Sequence, residues 1–255
     1  MLPGMKRFAA IAFTSLPLLF TTSTARAADL VVSAASSLTN AFKEVAQDFE
    51  VQHPETKIVL NFAASDVLLQ QIIKGAPADV FASADQDAMN KAETEKAVQP
   101  TSRKNFASNQ IVLIVPADSK LGITTLKALL SPNVKRIAYG NPASVPVGRY
   151  TKAALERDNL WTAVEAKGIP AQNVRQSLDY VARGEVDAGF VFSTDAAIMP
   201  GKVKLAVRVP AVTPVTYPIA ITTDTKQSAA AAQFLSYVLS AKGQATLARF
   251  GFLKP

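Results

Sequence analysis

The chain contains no cysteine, and among its 255 residues there is a single histidine and a single tryptophan. Without cysteine there is neither a disulfide nor a thiol nucleophile, so the fold depends on its hydrophobic core, which a chain of this length can form. His53 lies in a polar turn, VQHPET, and no second histidine completes a metal site or a Ser-His-Asp triad. These absences argue against disulfide scaffolds, thiol enzymes and triad hydrolases.

Charged residues are also few, at 18% of the chain, and they form no block of lysines and arginines. A nucleic-acid partner is therefore not expected. The sequence has neither the glycine-rich loops that hold nucleotides nor the G-x-S-x-G turn that presents a serine nucleophile. This inventory predicts a protein that is not an enzyme and carries no cofactor.

Long apolar runs are missing too, apart from a short one near the start. Lys6 and Arg7 precede the apolar segment 8–20, and residues 25–27 read Ala-Arg-Ala. This order predicts a secretory signal peptide cleaved after Ala27 and a soluble periplasmic protein, whose net charge falls from +7 to +4 once the three basic residues of the signal are removed. The alternative, a membrane anchor, is disfavoured because a span needs about 18 apolar residues. With no cysteine near Ala27, a lipid anchor there is excluded.

Apolar residues, in contrast, make up 49% of the chain, in strand-like and helix-like stretches that alternate. DLVVSAA, KIVLNFA and ADVFAS read as buried strands, with helical spacing of apolar residues between them. The alternation predicts α/β architecture with mixed, mostly parallel sheets. A second alternation starts at QIVLIVP, so we expect two lobes with a cleft between them: 28–107 plus 217–255, and 110–214. Crossovers at Ala107–Asn109 and Thr213–Tyr217 would form the hinge.

Several predicted helices begin directly after strands with small or polar residues. Ser37 and Ser65 precede or open two of them, Val147-Gly148 opens a third, and Asn173 caps a fourth. In an open parallel sheet such helix N-termini gather at one edge, where their free N–H groups suit an anion. Taken alone, each serine is more often only a helix cap. The convergence of several helix starts predicts an anion site between the lobes.

Five segments resemble a known family: AASSLTNAFKEVAQDFE, GAPADVFASADQDAM, VPVGRYTKAAL, GFVFSTDA and FLSYVLSAKGQATLARFGF. In this order, over essentially the whole chain after residue 27, they are similar to the periplasmic molybdate-binding proteins of ABC transporters. The resemblance implies a two-lobe periplasmic binding-protein fold of type II, with an interlobe cleft and a hinge. It also implies molybdate or tungstate as the ligand, a membrane permease as the partner, and a monomer.

The resemblance also implies the residues of the site. The family's two binding serines match Ser37 and Ser65, and its backbone donors match Val147 and Val174. The family often adds a tyrosine hydroxyl, and the aligned residue here is Phe192, which has none. The fifth contact with the anion is therefore expected to differ in this chain. No metal is expected as a bare cation, since molybdenum would be bound as the oxyanion.

Three other functions remain open from the sequence. The same fold could serve sulfate or another tetrahedral oxyanion, with selectivity set by the size of the cavity. An exported hydrolase could use Ser37 or Ser65, although no base accompanies them. An adhesion or scaffold module would need an exposed apolar patch. Arg149, Lys152 and Arg175, close to the proposed donors, are expected on solvated helix faces.

Overall fold

A computed structural model describes residues 28–255, and the predicted signal peptide, residues 1–27, lies outside them. The strands are β1 (Ala28–Ala35), β2 (Thr56–Ala63), β3 (Val80–Ala82), β4 (Lys104–Asn109), β5 (Ile111–Pro116), β6 (Ile137–Gly140), β7 (Gly168–Ala171), β8 (Ala188–Phe192), β9 (Val203–Val209) and β10 (Val215–Ile221). The helices are α1 (Thr39–Gln52), α2 (Ser65–Ile73), α3 (Gln86–Thr94), α4 (Pro146–Arg157), α5 (Trp161–Glu165), α6 (Val174–Ala182), α7 (Ser193–Ala197), α8 (Ser228–Leu239) and α9 (Ala241–Arg249). Short 3₁₀ helices span Ser36–Leu38, Pro100–Ser102 and Leu126–Leu130.

The first sheet has the strand order β2-β1-β3-β10-β4. Strand β1 pairs in parallel with β2 and β3, whereas β10 pairs antiparallel with β3 and β4. Helix α1 covers this sheet with an apolar stripe that includes Phe42, Val45 and Phe49, all fully buried. Phe234 of α8 packs edge-on against Phe42 and Phe49, so the C-terminal helices belong to the same core.

The second sheet has the strand order β7-β6-β8-β5-β9. Strand β6 pairs in parallel with β7 and β8, and β5 pairs antiparallel with β8 and β9. The chain passes between the two sheets twice: from β4 to β5 through Gln110, and from β9 to β10 through residues 210–214. These two segments are the covalent links between the halves of the molecule. They lie beside the predicted crossovers and overlap them only at residues 213–214, because residues 107–109 belong to β4 and residues 215–217 to β10.

The two sheets confirm the predicted α/β fold class with mixed, mostly parallel sheets, because four of the five strands in each sheet run in the same direction. Each sheet contains two parallel and two antiparallel pairings. The antiparallel pairings involve β5 and β10, which are the strands that enter each sheet directly from the other one. Each of these two strands runs opposite to the other four strands of its sheet.

Some short elements have no signal in the sequence. Strand β7 has only four residues, including Pro170, and shows no alternation of polar and apolar residues. Helices α5 and α7 have five residues each, too few to establish a helical period. No helix within residues 28–255 combines the length and apolar character that a bilayer crossing requires.

Candidate anion-binding site

A small cavity lies between the two sheets, where the end of β1 and the starts of α2, α4 and α6 meet. Its lining combines short hydroxyl side chains with apolar groups: Ala35, Ser36, Ser37, Ala64, Ser65, Ala84, Val145, Pro146, Val147, Val174 and Phe192. The cavity volume is about 10 Å³. That is about the room that one water molecule needs, so a sugar or a peptide does not fit.

All five residues that the sequence assigned to the site line this cavity. Ser37 and Ser65 come from the part of the chain that forms the first sheet, and Val147, Val174 and Phe192 come from the part that forms the second. The structure therefore brings the five positions together across the boundary between the sheets. Ser36 also lines the cavity as a third serine, and the sequence analysis did not assign it to the site.

Ser37 is not a helix cap, because neither the 3₁₀ turn it belongs to nor α1 has a side-chain cap. Its Oγ lies 3.1 Å from the hydroxyl of Tyr217, which is itself 3.2 Å from Asn109 Nδ2. The Asn109 amide is oriented because its Oδ1 accepts from the N–H of Gln110 (2.8 Å) and from Ser193 Oγ (3.0 Å). Asn109 thus donates to the Tyr217 hydroxyl, and Ser37 and Tyr217 share one hydrogen bond in which either hydroxyl can be the donor. When Tyr217 donates, the Ser37 proton is available to a ligand in the cavity.

Ser65 is the second predicted binding serine, and it lies at the start of α2. It is fully buried, and it is the first residue of a helix that has no side-chain cap. The backbone N–H of Ala84 donates to Ser65 Oγ at 3.0 Å. Because this bond occupies an acceptor position of the hydroxyl, the Ser65 proton is free to donate to an acceptor in the cavity. Ser65 is therefore held as a donor toward the cavity.

Val147 and Val174 lie in the first turns of α4 and α6. Amide N–H groups in a first turn have no acceptor within the helix, and they carry the positive end of the helix dipole. Asn173 caps α6 by accepting from the N–H of Gln176 at 3.0 Å, as its position predicts. Pro146 at the start of α4 contributes no N–H of its own. The two valines thus present backbone donors from the second lobe to the cavity.

Phe192 is the last residue of β8 and is 1% exposed. Its ring lies 5.7 Å from the ring of Tyr217 and 6.4 Å from the ring of Tyr150, measured between centroids. The ring forms an apolar wall of the cavity and supplies no hydrogen-bond donor. A tyrosine hydroxyl does stand beside Ser37, but it comes from Tyr217 on β10, a residue that the sequence argument missed.

The expectation that Arg149 and Arg175 lie on solvated helix faces is wrong. Both side chains are 21% exposed, and both are ion-paired: Arg149 with Asp66 and Asp85, and Arg175 with Asp195. Lys152, by contrast, is 41% exposed and pairs with a glutamate one turn along its own helix, as expected of a helix surface. The two arginines bring no uncompensated charge to the cavity.

Asp195 is fully buried in α7, and its Oδ1 lies 2.6 Å from Arg175 Nε. Burial raises the pKa of Asp195 from 3.8 to about 6, against the opposing attraction of Arg175. The same carboxylate helps to raise the pKa of Tyr217 well above its usual value, after the larger effect of burial. Arg175 and Tyr217 are therefore the charged and titratable groups that this carboxyl faces.

We expect this carboxyl to make stability depend on pH. Between about pH 4 and about pH 6 the folded protein binds a proton at Asp195 more tightly than the unfolded chain does, so its contribution to the free energy of unfolding falls as the pH rises through that window. Urea titrations of the wild type and of Asp195→Asn across this range measure the effect. The difference between the two curves should change with pH below about 6 and be constant above it. Parallel curves throughout would contradict the assignment.

A larger groove, with a volume of about 470 Å³, opens beside the cavity near Thr213 and Thr216. Its polar side chains already bind one another: Gln86 Nε2 donates to Asn105 Oδ1 at 2.8 Å and to Thr216 Oγ1 at 2.7 Å. Size alone would favour this groove as a binding site. The smaller cavity is the better candidate because serine hydroxyls and first-turn backbone amides from both halves of the molecule line it.

Catalytic chemistry has no support in the geometry. His53 stacks on Phe49 at the end of α1 and pairs with Glu55, remote in the fold from the serines that line the cavity. Within residues 28–255 no group of three or more His, Asp or Glu side chains is arranged to hold a metal ion.

Two α/β lobes linked by two crossing segments, with a donor-lined cavity between them, define the periplasmic binding-protein class of fold. The chain belongs to the family of bacterial extracellular solute-binding proteins, which matches residues 30–253. It is accordingly a binding protein and not an enzyme, and the hydrolase hypothesis is wrong.

Named relatives are similar over most of their length. The chain is 35% identical over 225 residues to the putative ABC transporter substrate-binding lipoprotein YvgL of Bacillus subtilis, covering 88% of this chain and 85% of that protein. It is 34% identical over 235 residues to the molybdate-binding protein ModA of Haemophilus influenzae, covering 90% and 92%. The solved structure of the periplasmic molybdate-binding protein of Azotobacter vinelandii matches with a TM-score of 0.79 at 27% identity, covering 89% and 99%.

Proposed function

We propose that this protein captures molybdate, and tungstate with it, in the cavity between its lobes and delivers the anion to the membrane permease of an ABC transporter. The relatives support both the ligand and the transporter, because two are molybdate-binding proteins and one is a putative ABC transporter substrate-binding protein. The lobes would be residues 28–107 plus 217–255 and residues 110–214, closing about Gln110 and residues 210–214. No cofactor, nucleic acid or second copy of the chain is part of the proposal.

The observation that carries the proposal is that Ser65 accepts a hydrogen bond from the protein and keeps its proton for the ligand, with the Ser37 hydroxyl lining the same cavity. With the first-turn amides of Val147 and Val174, Ser37 and Ser65 supply a set of donors. A ligand that only accepts hydrogen bonds fits such a set, and an oxyanion is the compact ligand of that kind. Ionised oxygens make shorter and stronger bonds than neutral ones, so a site without a counter-ion can hold a dianion.

Sulfate is the closest rival, because it is also a tetrahedral dianion. Charge cannot separate the two, so selectivity has to come from the size of the cavity. Molybdate has longer bonds from the central atom to oxygen, and a cavity closed to its dimensions would hold sulfate with stretched hydrogen bonds. The small size of the cavity around the donors is the feature on which such a selection would depend.

Thermal unfolding of the purified protein with molybdate, tungstate, sulfate and phosphate tests the function. A ligand present at 100 times its dissociation constant should add about 2.7 kcal/mol to the free energy of unfolding. We expect molybdate and tungstate to raise the melting temperature at micromolar concentrations, and sulfate and phosphate to do so only at far higher ones. A larger shift with sulfate would make the protein a sulfate carrier.

Export implies a defined N-terminus for the mature protein. We expect the chain to begin at Ala28 after secretion, because residues 25–27 match the small-x-small pattern before a cleavage site. N-terminal sequencing of protein recovered from the periplasm decides the point. A secreted chain that still carries Lys6 would contradict it.

Phe192 gives a sharper test of the site. Phe192→Tyr places a hydroxyl on a ring that lines the cavity, so we expect molybdate binding to be kept or tightened, by up to about 1.5–3 kcal/mol for a hydrogen bond to a charged group. Phe192→Ala removes the wall and should weaken binding. Calorimetry with molybdate and melting temperatures together measure both effects.

Phe190→Tyr is the matched control. Phe190 lies two residues earlier on β8, is fully buried and does not line the cavity, so its new hydroxyl should lower the melting temperature and leave affinity unchanged. If Phe192→Tyr behaves like this control, Phe192 does not contact the ligand.

A further inference from the structure

Each backbone donor of the second lobe is followed closely by an arginine. Arg149 comes two residues after Val147 on α4, and Arg175 comes directly after Val174 on α6. Both side chains reach across the cleft and form hydrogen bonds with residues of the first lobe. The pairing of a donor with a cross-cleft arginine therefore occurs twice.

Arg149 binds two carboxylates of the first lobe. Its guanidinium nitrogens lie 2.7 Å from Asp66 Oδ2 and 2.7 Å from Asp85 Oδ2. Asp66 directly follows Ser65, and Asp85 directly follows Ala84, whose N–H donates to Ser65 Oγ. Arg149 thus ties the start of α4 to both segments that hold the Ser65 hydroxyl in place.

Arg175 makes the equivalent connection to the other serine. Its Nη1 donates to Asn40 Oδ1 at 2.8 Å, and its Nη2 lies 3.4 Å from the carbonyl oxygen of Ser37. The charge of Arg175 is balanced within its own lobe by the buried Asp195. The start of α6 is thereby fixed to the turn that carries Ser37.

We propose that Arg149 and Arg175 are positioning residues that latch the closed lobes together and so set the size of the anion cavity. This inference rests on the proposed function, since it assigns these residues a part in retaining and selecting the anion. Each arginine holds one serine-bearing segment against one helix that supplies a backbone donor. The separation of serine and amide donors, which determines which anion fits, is then fixed by contacts that do not touch the anion.

The latch makes a kinetic prediction that a counter-ion role does not. Bonds between the lobes exist only when the cleft is closed, so they slow escape of the ligand and leave its entry into the open form unaffected. The positive charges are already matched by Asp66, Asp85 and Asp195, so they contribute little steering of the anion. Loss of the latch should therefore appear in the dissociation rate.

Asp66→Asn is the decisive variant, because two explanations predict opposite results. If these side chains act on the ligand only through charge, removing a carboxylate near the site should tighten the binding of an anion. If Asp66 is an anchor of the latch, the same change should speed dissociation of molybdate several-fold, about three- to tenfold, and leave the association rate within about twofold. Exchange of radioactive molybdate from the mature protein measures the dissociation rate, and the time course of its uptake by ligand-free protein measures the association rate.

Further variants complete the experiment. Arg149→Gln should speed dissociation by about tenfold or more, and Arg149→Lys should fall between it and the wild type because one ammonium cannot span both carboxylates. Arg149→Gln combined with Asp66→Asn should be no faster than Arg149→Gln alone. Asn40→Ala removes a contact between Arg175 and the first lobe and leaves the ion pair of Arg175 with Asp195 in place. Arg183→Gln is the control: Arg183 directly follows α6, is 68% exposed and pairs with Glu185, two residues along the chain.

The preference for molybdate over sulfate is a second property that the variants should change. Loosening the latch should reduce the preference for molybdate over sulfate, whereas a general loss of stability would weaken both anions equally. Tighter binding or an unchanged dissociation rate in Asp66→Asn would overturn the proposal. If the wild type itself failed to retain molybdate, the proposed function would fail first, so the two failures are distinguishable.

Discussion

Replacing Gly148 with alanine should lower the free energy of unfolding by about 3 kcal/mol or more, the upper range for overpacking. A Cβ atom at this position would lie 1.9 Å from the carbonyl oxygen of Gly140 and 2.5 Å from its carbon. Both are backbone atoms at the end of β6, so no side chain can rotate away. The start of α4 would have to move, and with it the amide of Val147, so molybdate binding should fall as well. Chemical denaturation and calorimetry measure the two losses.

Gly201→Ala provides the control. Nothing lies within 4 Å of a Cβ built at Gly201, and its backbone does not require glycine. This variant should keep the stability and affinity of the wild type to within about 0.5 kcal/mol. If Gly148→Ala matched it, the close approach between α4 and β6 would be absent in solution.

Ser37→Ala and Ser65→Ala should each weaken molybdate binding by about 1.5–3 kcal/mol, which is the usual loss for a hydrogen bond to a charged group. Each change removes one donor and leaves the other donors in place. The Ser65 variant also leaves the N–H of Ala84 without its acceptor, so it should lose more stability than a simple truncation. Titration calorimetry gives the affinities, and melting temperatures without ligand give the stabilities.

Ser177→Ala separates binding from folding. Ser177 is as deeply buried as Ser65, and its Oγ donates to the carbonyl oxygen of Phe190 at 3.0 Å, but it does not line the cavity. It should lose stability and keep its affinity. Unchanged affinity in both the Ser37 and Ser65 variants would put the binding site elsewhere.

The sequence was a good guide to what depends on local pattern. The run DLVVSAA predicted β1, and the small residues after it correctly marked a turn that faces the cavity. Apolar spacing and the cap at Asn173 predicted three helix starts, at Ser65, near Val147 and at Val174. Such features are set by residues a few positions apart, which is why a single sequence reveals them.

Contacts between distant segments could not be predicted in the same way. The hydroxyl that orients Ser37 comes from Tyr217, 180 positions along the chain, and nothing in the strand pattern of β10 indicates where that hydroxyl lies. Arg149 and Arg175 fall among polar helix positions, which indicates only that they avoid the core of their own lobe. Their carboxylate partners become visible only when the two lobes are placed together.

The central claim is that one oxyanion sits among the serines and helix starts that line the small cavity. The most direct measurement is a crystal structure grown with molybdate, with diffraction data collected at the molybdenum absorption edge. We expect one anomalous peak in the cavity. The anion oxygens should lie about 2.7–3.2 Å from the hydroxyls of Ser37 and Ser65 and from the amides of Val147 and Val174. An anomalous peak only at another place on the molecule, or no peak at all at saturating molybdate, would contradict it.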